Sequence, residues 1–393
     1  MRIIFFSHPE FLKSTSMPRF AAMIAKGMEE RGHEVKLLTV ESFFFRNSAP
    51  QEIKKWLGYL DQYLVFPITF QKLKRKYPQD TLFVFADQAL GPWVPLVRKH
   101  PHVVHCHDFI AQKSALGEIS WNKTSFSGKF YQAFIRKGYR KASNFISISE
   151  KTRSDLHRFL KEKIGISEVV YNGLNQKFSP DDSGKALRFV EAKTGLTLPG
   201  GYVLHVGGNQ FYKNRSGVLK IFNHYKELND SPVKLLMVGA APTEKLQKIK
   251  ANSVFSKDIH FIIKPSDEFI RKVYQAASVL LYPSLYEGFG WPIAEAMASG
   301  CPVITTREAP MNEVGGNAAF YISSPPEDIV ENNIWLQESA NILSTVIQLS
   351  NEERKEVVEA GIANAARFDT KEALDQIEVI YKKILKTYGN ESS

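Results

Sequence analysis

Two carboxylates, Glu287 and Glu295, are separated by seven residues in the stretch Val279-Leu-Leu-Tyr-Pro-Ser-Leu-Tyr-Glu287-Gly-Phe-Gly-Trp-Pro-Ile-Ala-Glu295-Ala-Met-Ala-Ser-Gly300. The pattern predicts a strand, a tight loop, a helix and a turn. Gly288 and Gly290 let the loop bend sharply and let a ligand come close to the backbone N–H groups of 288–290. Pro292 suits the first turn of a helix, where its missing N–H costs nothing. A helix N-terminus carries partial positive charge and suits a diphosphate. Carboxylates accept hydrogen bonds from sugar and ribose hydroxyls. Either glutamate alone would read as an ordinary surface charge; framed together by this loop and helix start, they fit a ligand with hydroxyls at both ends and a diphosphate between, the make-up of a nucleotide sugar.

The elements that must position these groups alternate along the chain. Strand-like runs at 2–7, 34–40, 81–85, 102–105 and 144–149 are interleaved with helical periodicity. The pattern restarts at 202–206, 233–238, 260–263, 279–282 and 302–305. Such alternation is the signature of α/β domains with parallel sheets. The turn-rich run Phe178-Ser-Pro-Asp-Asp-Ser-Gly-Lys185 is the linker candidate, giving domains at 1–180 and 181–370. Residues 371–393 form an amphipathic helix expected to pack back on the first domain. The 393 residues, 44% hydrophobic and 23% charged, are ordinary globular composition. No apolar run reaches the roughly 20 residues of a membrane span, and the start reads as a first strand, not a leader peptide. Two cysteines, Cys106 and Cys301, give neither a disulfide framework nor a metal-site spacing, so a reducing cytoplasm is expected.

The carboxylate stretch resembles the Glu-x7-Glu signature of retaining GT-B glycosyltransferases of family 4. The likeness extends over nearly the whole chain. It implies two Rossmann-like domains facing each other across a cleft, Glu287 near the donor sugar and Glu295 on the ribose hydroxyls. It also implies that Gly288, Phe289 and Gly290 line the donor. In Tyr202-Val-Leu-His-Val-Gly207-Gly208-Asn-Gln-Phe-Tyr-Lys213-Asn-Arg215, Lys213 matches the lysine that family members place on the diphosphate. A fixed cation there can stabilise a leaving nucleoside diphosphate without a metal. Many members have an arginine where this chain has Gly208, and Arg215 is the candidate substitute. Gly239, in Gly239-Ala-Ala, and the turn Pro265-Ser-Asp-Glu268 fall where members contact base and ribose. In Val103-Val-His-Cys-His107-Asp108, His107 resembles the strand-end histidine that faces the donor sugar. Glu313 resembles a recurrent family glutamate. The loop Ser14-Thr15-Ser16-Met17-Pro18 departs from the Gly-Gly of many members, and Tyr171-Asn172-Gly173-Leu-Asn175 matches a weaker landmark.

The resemblance thus implies transfer of a sugar from a nucleotide-diphosphate donor to a saccharide or lipid-linked acceptor, with retention and without a metal or other cofactor. A nucleotide-sugar epimerase or a phosphorylase on the same scaffold is the alternative. The net charge of +10 is uneven: 1–180 holds 28 Lys+Arg against 15 Asp+Glu, a balance of +13, leaving −3 for the rest. The clusters Lys72-Leu-Lys-Arg-Lys76 and Arg136-Lys-Gly-Tyr-Arg-Lys141 each follow aromatic residues. Such a face suits peripheral contact with an anionic membrane on its inner, cytoplasmic side. Charge alone would also suit nucleic acid, but no recognition motif accompanies it and the carboxylates would repel phosphate, so no nucleic acid is expected.

Overall fold

The computed structural model describes residues 1–12, 16–160, 164–174, 177–326 and 329–392. Ser14, Thr15 and Asn175 of the sequence motifs lie outside the described residues. The chain divides into two units: Met1–Gly173 with Thr370–Ser393, and Leu174–Asp369.

The first unit holds β1 (Arg2–Phe6), β2 (Glu34–Leu38), β3 (Leu82–Phe85), β4 (His102–Cys106), β5 (Asn144–Ser147) and β6 (Ile166–Val169). They form one parallel sheet in the order β2-β1-β3-β4-β5-β6. A parallel sheet is covered on both faces, so its strands read as continuous apolar runs. Alternate residues of β1 feed two separate cores. Ile4 and Phe6 join Phe66, Phe70, Phe85 and Trp93 on one face, with the Phe6 and Phe85 rings stacked 4.7 Å apart. Ile3 and Phe5 join Phe20, Ile24 and Met28 on the other. The helix Thr370–Ser392 closes that second face through Leu374, Ile377, Ile380, Tyr381 and Ile384. The Tyr381 hydroxyl lies 2.8 Å from His105 Nε2 in this core.

The second unit holds β7 (Tyr202–Gly207), β8 (Lys234–Gly239), β9 (Ile259–Ile263), β10 (Val279–Tyr282), β11 (Val303–Thr306) and β12 (Phe320–Ile322), all parallel, in the order β12-β11-β10-β7-β8-β9. Two strands, β6 and β12, go beyond the sequence reading. Both are sheet edges: Ile166-Ser-Glu-Val169 has two adjacent polar residues at its centre, and Phe320-Tyr-Ile322 is only three residues long. An edge strand needs neither the length nor the apolar run that marks a central one.

Candidate active site

In the second sheet the strand order reverses at the neighbours β7 and β10. The loops after such a pair leave toward opposite faces and open a crevice at the carboxyl ends of the strands, the usual ligand position in open parallel sheets. Lys213 ends the short helical turn Phe211–Lys213 after β7, and Glu287 lies in the loop after β10. They meet there: Lys213 Nζ donates to Glu287 Oε1 at 2.7 Å, with the side chains 16% and 9% exposed. The Tyr282 hydroxyl accepts from Lys213 Nζ at 2.6 Å and donates to the same Oε1 at 2.6 Å. Ser284 Oγ is also 2.6 Å from that oxygen. Lysine, tyrosine and serine thus converge on one carboxylate oxygen. The two loops are bound to each other by backbone as well: Leu285 N donates to Tyr212 O at 2.7 Å, and Asn214 Nδ2 to Pro283 O at 3.1 Å. Asn214 itself adopts left-handed backbone (φ 48°) and caps the helix Arg215–Leu228 through Gly217 N.

Glu295 stands in the second turn of the helix Trp291–Ala298 and accepts from the Tyr274 hydroxyl at 2.9 Å. Burial pushes its carboxyl up to about 7, partly offset by the Tyr274 bond and the Lys213 charge. Gly290, the N-cap of this helix, has φ 111°, a conformation that excludes most other residues. Gly288 and Phe289 are engaged within the fold, and the Phe289 side chain is core, its ring edge-on to Phe368 at 5.2 Å and to Trp291 at 5.5 Å. Gly207 and Gly239 pair across β7 and β8. A Cβ on Gly239 (φ 135°) would come within 2.4 Å of Gly207 O, and one on Gly207 within 3.7 Å of the Lys213 stem. Gly208 packs beside the Gln210 side chain.

Lys213, Glu287, Gly207 and, within electrostatic reach, Glu295 are therefore brought together. Arg215 is not. It is 4% exposed, its Nη1 donates to Ala240 O at 3.0 Å and to Asn209 Oδ1, and its guanidinium lies over the Phe261 ring at 5.6 Å. Ser266 of the turn 265–268 caps the next helix through Phe269 N, and Glu313 offers its carbonyl to Arg367. Three participants have no mark in the sequence. Tyr282 and Tyr274 sit at apolar positions of a strand and a helix. His205 stacks its ring on Tyr282 (6.0 Å, 25°) and bonds Leu281 O through Nδ1 at 3.0 Å. Burial, reinforced by the Arg215 and Lys213 charges, lowers its pKa to about 3, so it is a neutral support under Tyr282.

The first sheet reverses at the neighbours β1 and β3, and an acid–base pair spans that point too. His8 Nε2, just past β1, is 2.7 Å from Asp87 Oδ2, just past β3. Asp87 also accepts from Ala89 N at 2.9 Å. His107, past β4, is buried; its Nε2 donates to Ala86 O at 2.8 Å, and its ring stands edge-on to Phe20 at 4.4 Å. Since a carbonyl only accepts, Nε2 carries the proton and Nδ1 is left as an acceptor. Burial raises the Asp87 carboxyl, but the His8 bond, the nearby histidines and the Ala89 N–H outweigh it and hold it below its ordinary 3.8. A carboxyl lowered by folding stabilises the fold above its ordinary value, and that contribution is lost as pH falls through the lowered one. Asp87→Asn is expected to lower the melting temperature by several degrees at pH 7, and the gap to wild type should close as pH falls below about 3.8, followed by circular dichroism.

Residues 17–178 match the family model described as Glycosyltransferase Family 4, and residues 189–355 the one described as Glycosyl transferases group 1. Each half of the chain thus matches a glycosyltransferase domain model, and the two parallel six-stranded sheets are those of the GT-B fold. The structure is similar to that of HepE from Anabaena, solved in complex with UDP and glucose, with a TM-score of 0.73 and 17% identity over 98% of this chain and 100% of that one. In sequence the chain is 29% identical over 257 residues to the O-antigen chain mannosyltransferase B of Escherichia coli, covering 65% of this chain and 64% of that protein. It is 26% identical over 206 residues to the O-antigen chain mannosyltransferase RfbU of Salmonella typhimurium, covering 52% and 53%. The chain therefore spans between half and two thirds of the length of these curated relatives.

Proposed function

We propose that the protein transfers a sugar from a nucleotide-diphosphate donor to a saccharide or lipid-linked acceptor in glycan synthesis, with retention of configuration. The observation that carries this reading is the Lys213–Tyr282–Glu287 cluster at the switch point of the second sheet. The donor diphosphate rests on Lys213 and the N-terminus of the helix Trp291–Ala298, and Glu295 takes the ribose hydroxyls. Glu287 faces the donor sugar. The acceptor is held by the first unit, where the strand-end pair His8 and Asp87 offers polar contacts to hydroxyls. The acceptor oxygen bonds to the anomeric carbon as the bond from that carbon to the phosphate oxygen breaks. The electron pair goes to the diphosphate, where Lys213 stabilises it, and the acceptor proton goes to the same leaving phosphate. That course needs neither a metal nor a covalent nucleophile. The names of the two sequence relatives put mannosyl donors first among those to try.

A thermal-shift panel of UDP-, GDP- and ADP-sugars, mannosyl donors included, tests the reading. A ligand at a hundredfold excess over its Kd adds about 2.7 kcal/mol to the native state, a rise of roughly 5–10 °C for a domain of this size. A panel in which no nucleotide sugar moves the melting point would sink it. Release of nucleoside diphosphate that depends on an added acceptor separates transfer from epimerisation.

A further inference from the structure

The first unit carries a surface that the transfer chemistry does not use. Among the described residues, every exposed Phe and Trp falls in the segments 43–56 and 121–134. A helical run consisting of Gln51–Leu60, a π-helical turn Asp61–Val65 and Phe66–Lys74 turns one stripe to solvent: Ile53, Trp56, Leu60, Leu64 and Ile68, each 41–57% exposed. The spacing of three and then four residues keeps them on one face. The helix Phe126–Tyr139 exposes Phe126, Phe130 and Phe134 by 77%, 65% and 45% at the same spacing. Ring contacts join the two helices. Tyr59 stacks on Tyr131 at 5.0 Å and Tyr63 meets Phe134 at 5.2 Å; within the first helix Trp56 meets Tyr59 at 5.8 Å.

A buried acid extends the patch. Asp61, fully buried in the π-helical turn, accepts the backbone N–H groups of Phe43, Phe44 and Phe45 at 3.2, 2.8 and 2.8 Å. These bonds fix the loop so that Phe43 and Phe44 stand 61% and 40% exposed. Three charge-assisted bonds spent on holding apolar rings in water argue for a surface with a partner.

The charge around the patch names the partner. Residues 41–77 and 119–141 together hold 13 Lys+Arg and 3 Asp+Glu, and one of those acids is the buried Asp61. Lys55 lies 5.6 Å from the Tyr59 ring centroid, cation beside aromatic. Apolar rings interleaved with lysines and arginines fit the boundary between acyl chains and anionic headgroups. A second copy of this chain docking by the same face would set those cations against one another. We propose that this face of the first unit docks on an anionic lipid bilayer.

The test is flotation of the full chain with vesicles, with no sugar nucleotide present, so its outcome is independent of the transfer reading. Vesicles of phosphatidylcholine with about a third phosphatidylglycerol should carry the protein up at low salt. Neutral vesicles, or high salt, should cut partitioning by about tenfold or more. The variant Trp56→Ser/Phe126→Ser/Phe130→Ser changes only exposed side chains. It should keep the wild-type melting temperature and lose at least tenfold in partitioning. Lys55→Glu/Lys129→Glu should lose binding to anionic vesicles and leave the weak binding to neutral ones unchanged. No flotation on anionic vesicles, wild-type flotation by the triple variant, or a dimer in solution that the triple variant dissociates would each overturn the proposal.

Discussion

Glutamine in place of Glu287 is expected to cut sugar transfer by about a hundredfold or more while leaving the protein folded, and alanine at the same position to cost stability as well. The reason is the traffic on one oxygen. Oε1 receives Lys213 Nζ and the Tyr282 hydroxyl, with Ser284 Oγ at the same distance, in a site where the two charged side chains are less than a fifth exposed. Alanine leaves the ammonium and a buried hydroxyl without their acceptor. Breaking an enclosed ion pair on one side costs about 3–5 kcal/mol, on the order of 10 °C in melting temperature for a domain of this size. Glutamine keeps an acceptor oxygen for the same donors and removes only the negative charge. Lys213 is then less compensated, so donor affinity should hold or improve while turnover collapses. The measurement is release of nucleoside diphosphate from whichever donor stabilises the protein, beside a melting curve for each variant. Full turnover by the glutamine variant would reduce Glu287 to a support for Lys213.

What could be read from the sequence and what could not differ by physical cause. Central strands announce themselves because a parallel sheet covered on both faces needs apolar residues at every position, as in Ile3-Ile-Phe-Phe6. The edges β6 and β12 escape that demand and were not legible. Glu287, Glu295 and the glycine loop could be found because a charge or a glycine beside a buried strand needs a reason. Tyr282 and Tyr274 carry no such flag: a tyrosine at an apolar position reads as packing, and only the tertiary structure shows its hydroxyl on a carboxylate. The His8–Asp87 pair, 79 residues apart, depends on β1 lying next to β3, a strand order that periodicity does not contain. Arg215 shows how little sequence adjacency fixes. Its place beside Lys213 suggests a second cation for the diphosphate, but that Asn214 starts a helix there, with the guanidinium lying over Phe261 and bonded to the Ala240 carbonyl, is visible only in the structure. The exposed rings of the first unit were visible as aromatic residues near basic clusters, but their exposure comes from Asp61 and from how the two helices pair.

Donor affinity is expected to weaken about thirtyfold from pH 8.5 to pH 5.5, and Glu295→Gln to flatten that dependence. Without donor, burial has pushed the Glu295 carboxyl from 4.5 up to about 7. Its folded value is above its unfolded one, so it favours the fold when protonated; that stability is complete below about 4.5 and is lost as pH rises through about 7. The donor-free protein should therefore melt several degrees lower at pH 8 than at pH 5.5 on this account. Ribose hydroxyls need the opposite form. They donate, a carboxylate accepts through both oxygens, and a protonated carboxyl presents a donor of its own. Donor binding then draws Glu295 to the ionised state and, near neutral pH, releases a proton to solvent. Calorimetry in two buffers of different ionisation enthalpy counts that proton directly, a readout that loss of packing alone would not move. The diphosphate of a nucleotide sugar, esterified at both ends, does not titrate in this range, which leaves the protein as the source. Glutamine keeps an oxygen for the Tyr274 hydroxyl and cannot ionise, so the variant should bind at all pH values about as the wild type binds in acid, with no proton released. If the pH dependence and the proton release persist in Glu295→Gln, another group titrates, and the ribose hydroxyls are held elsewhere.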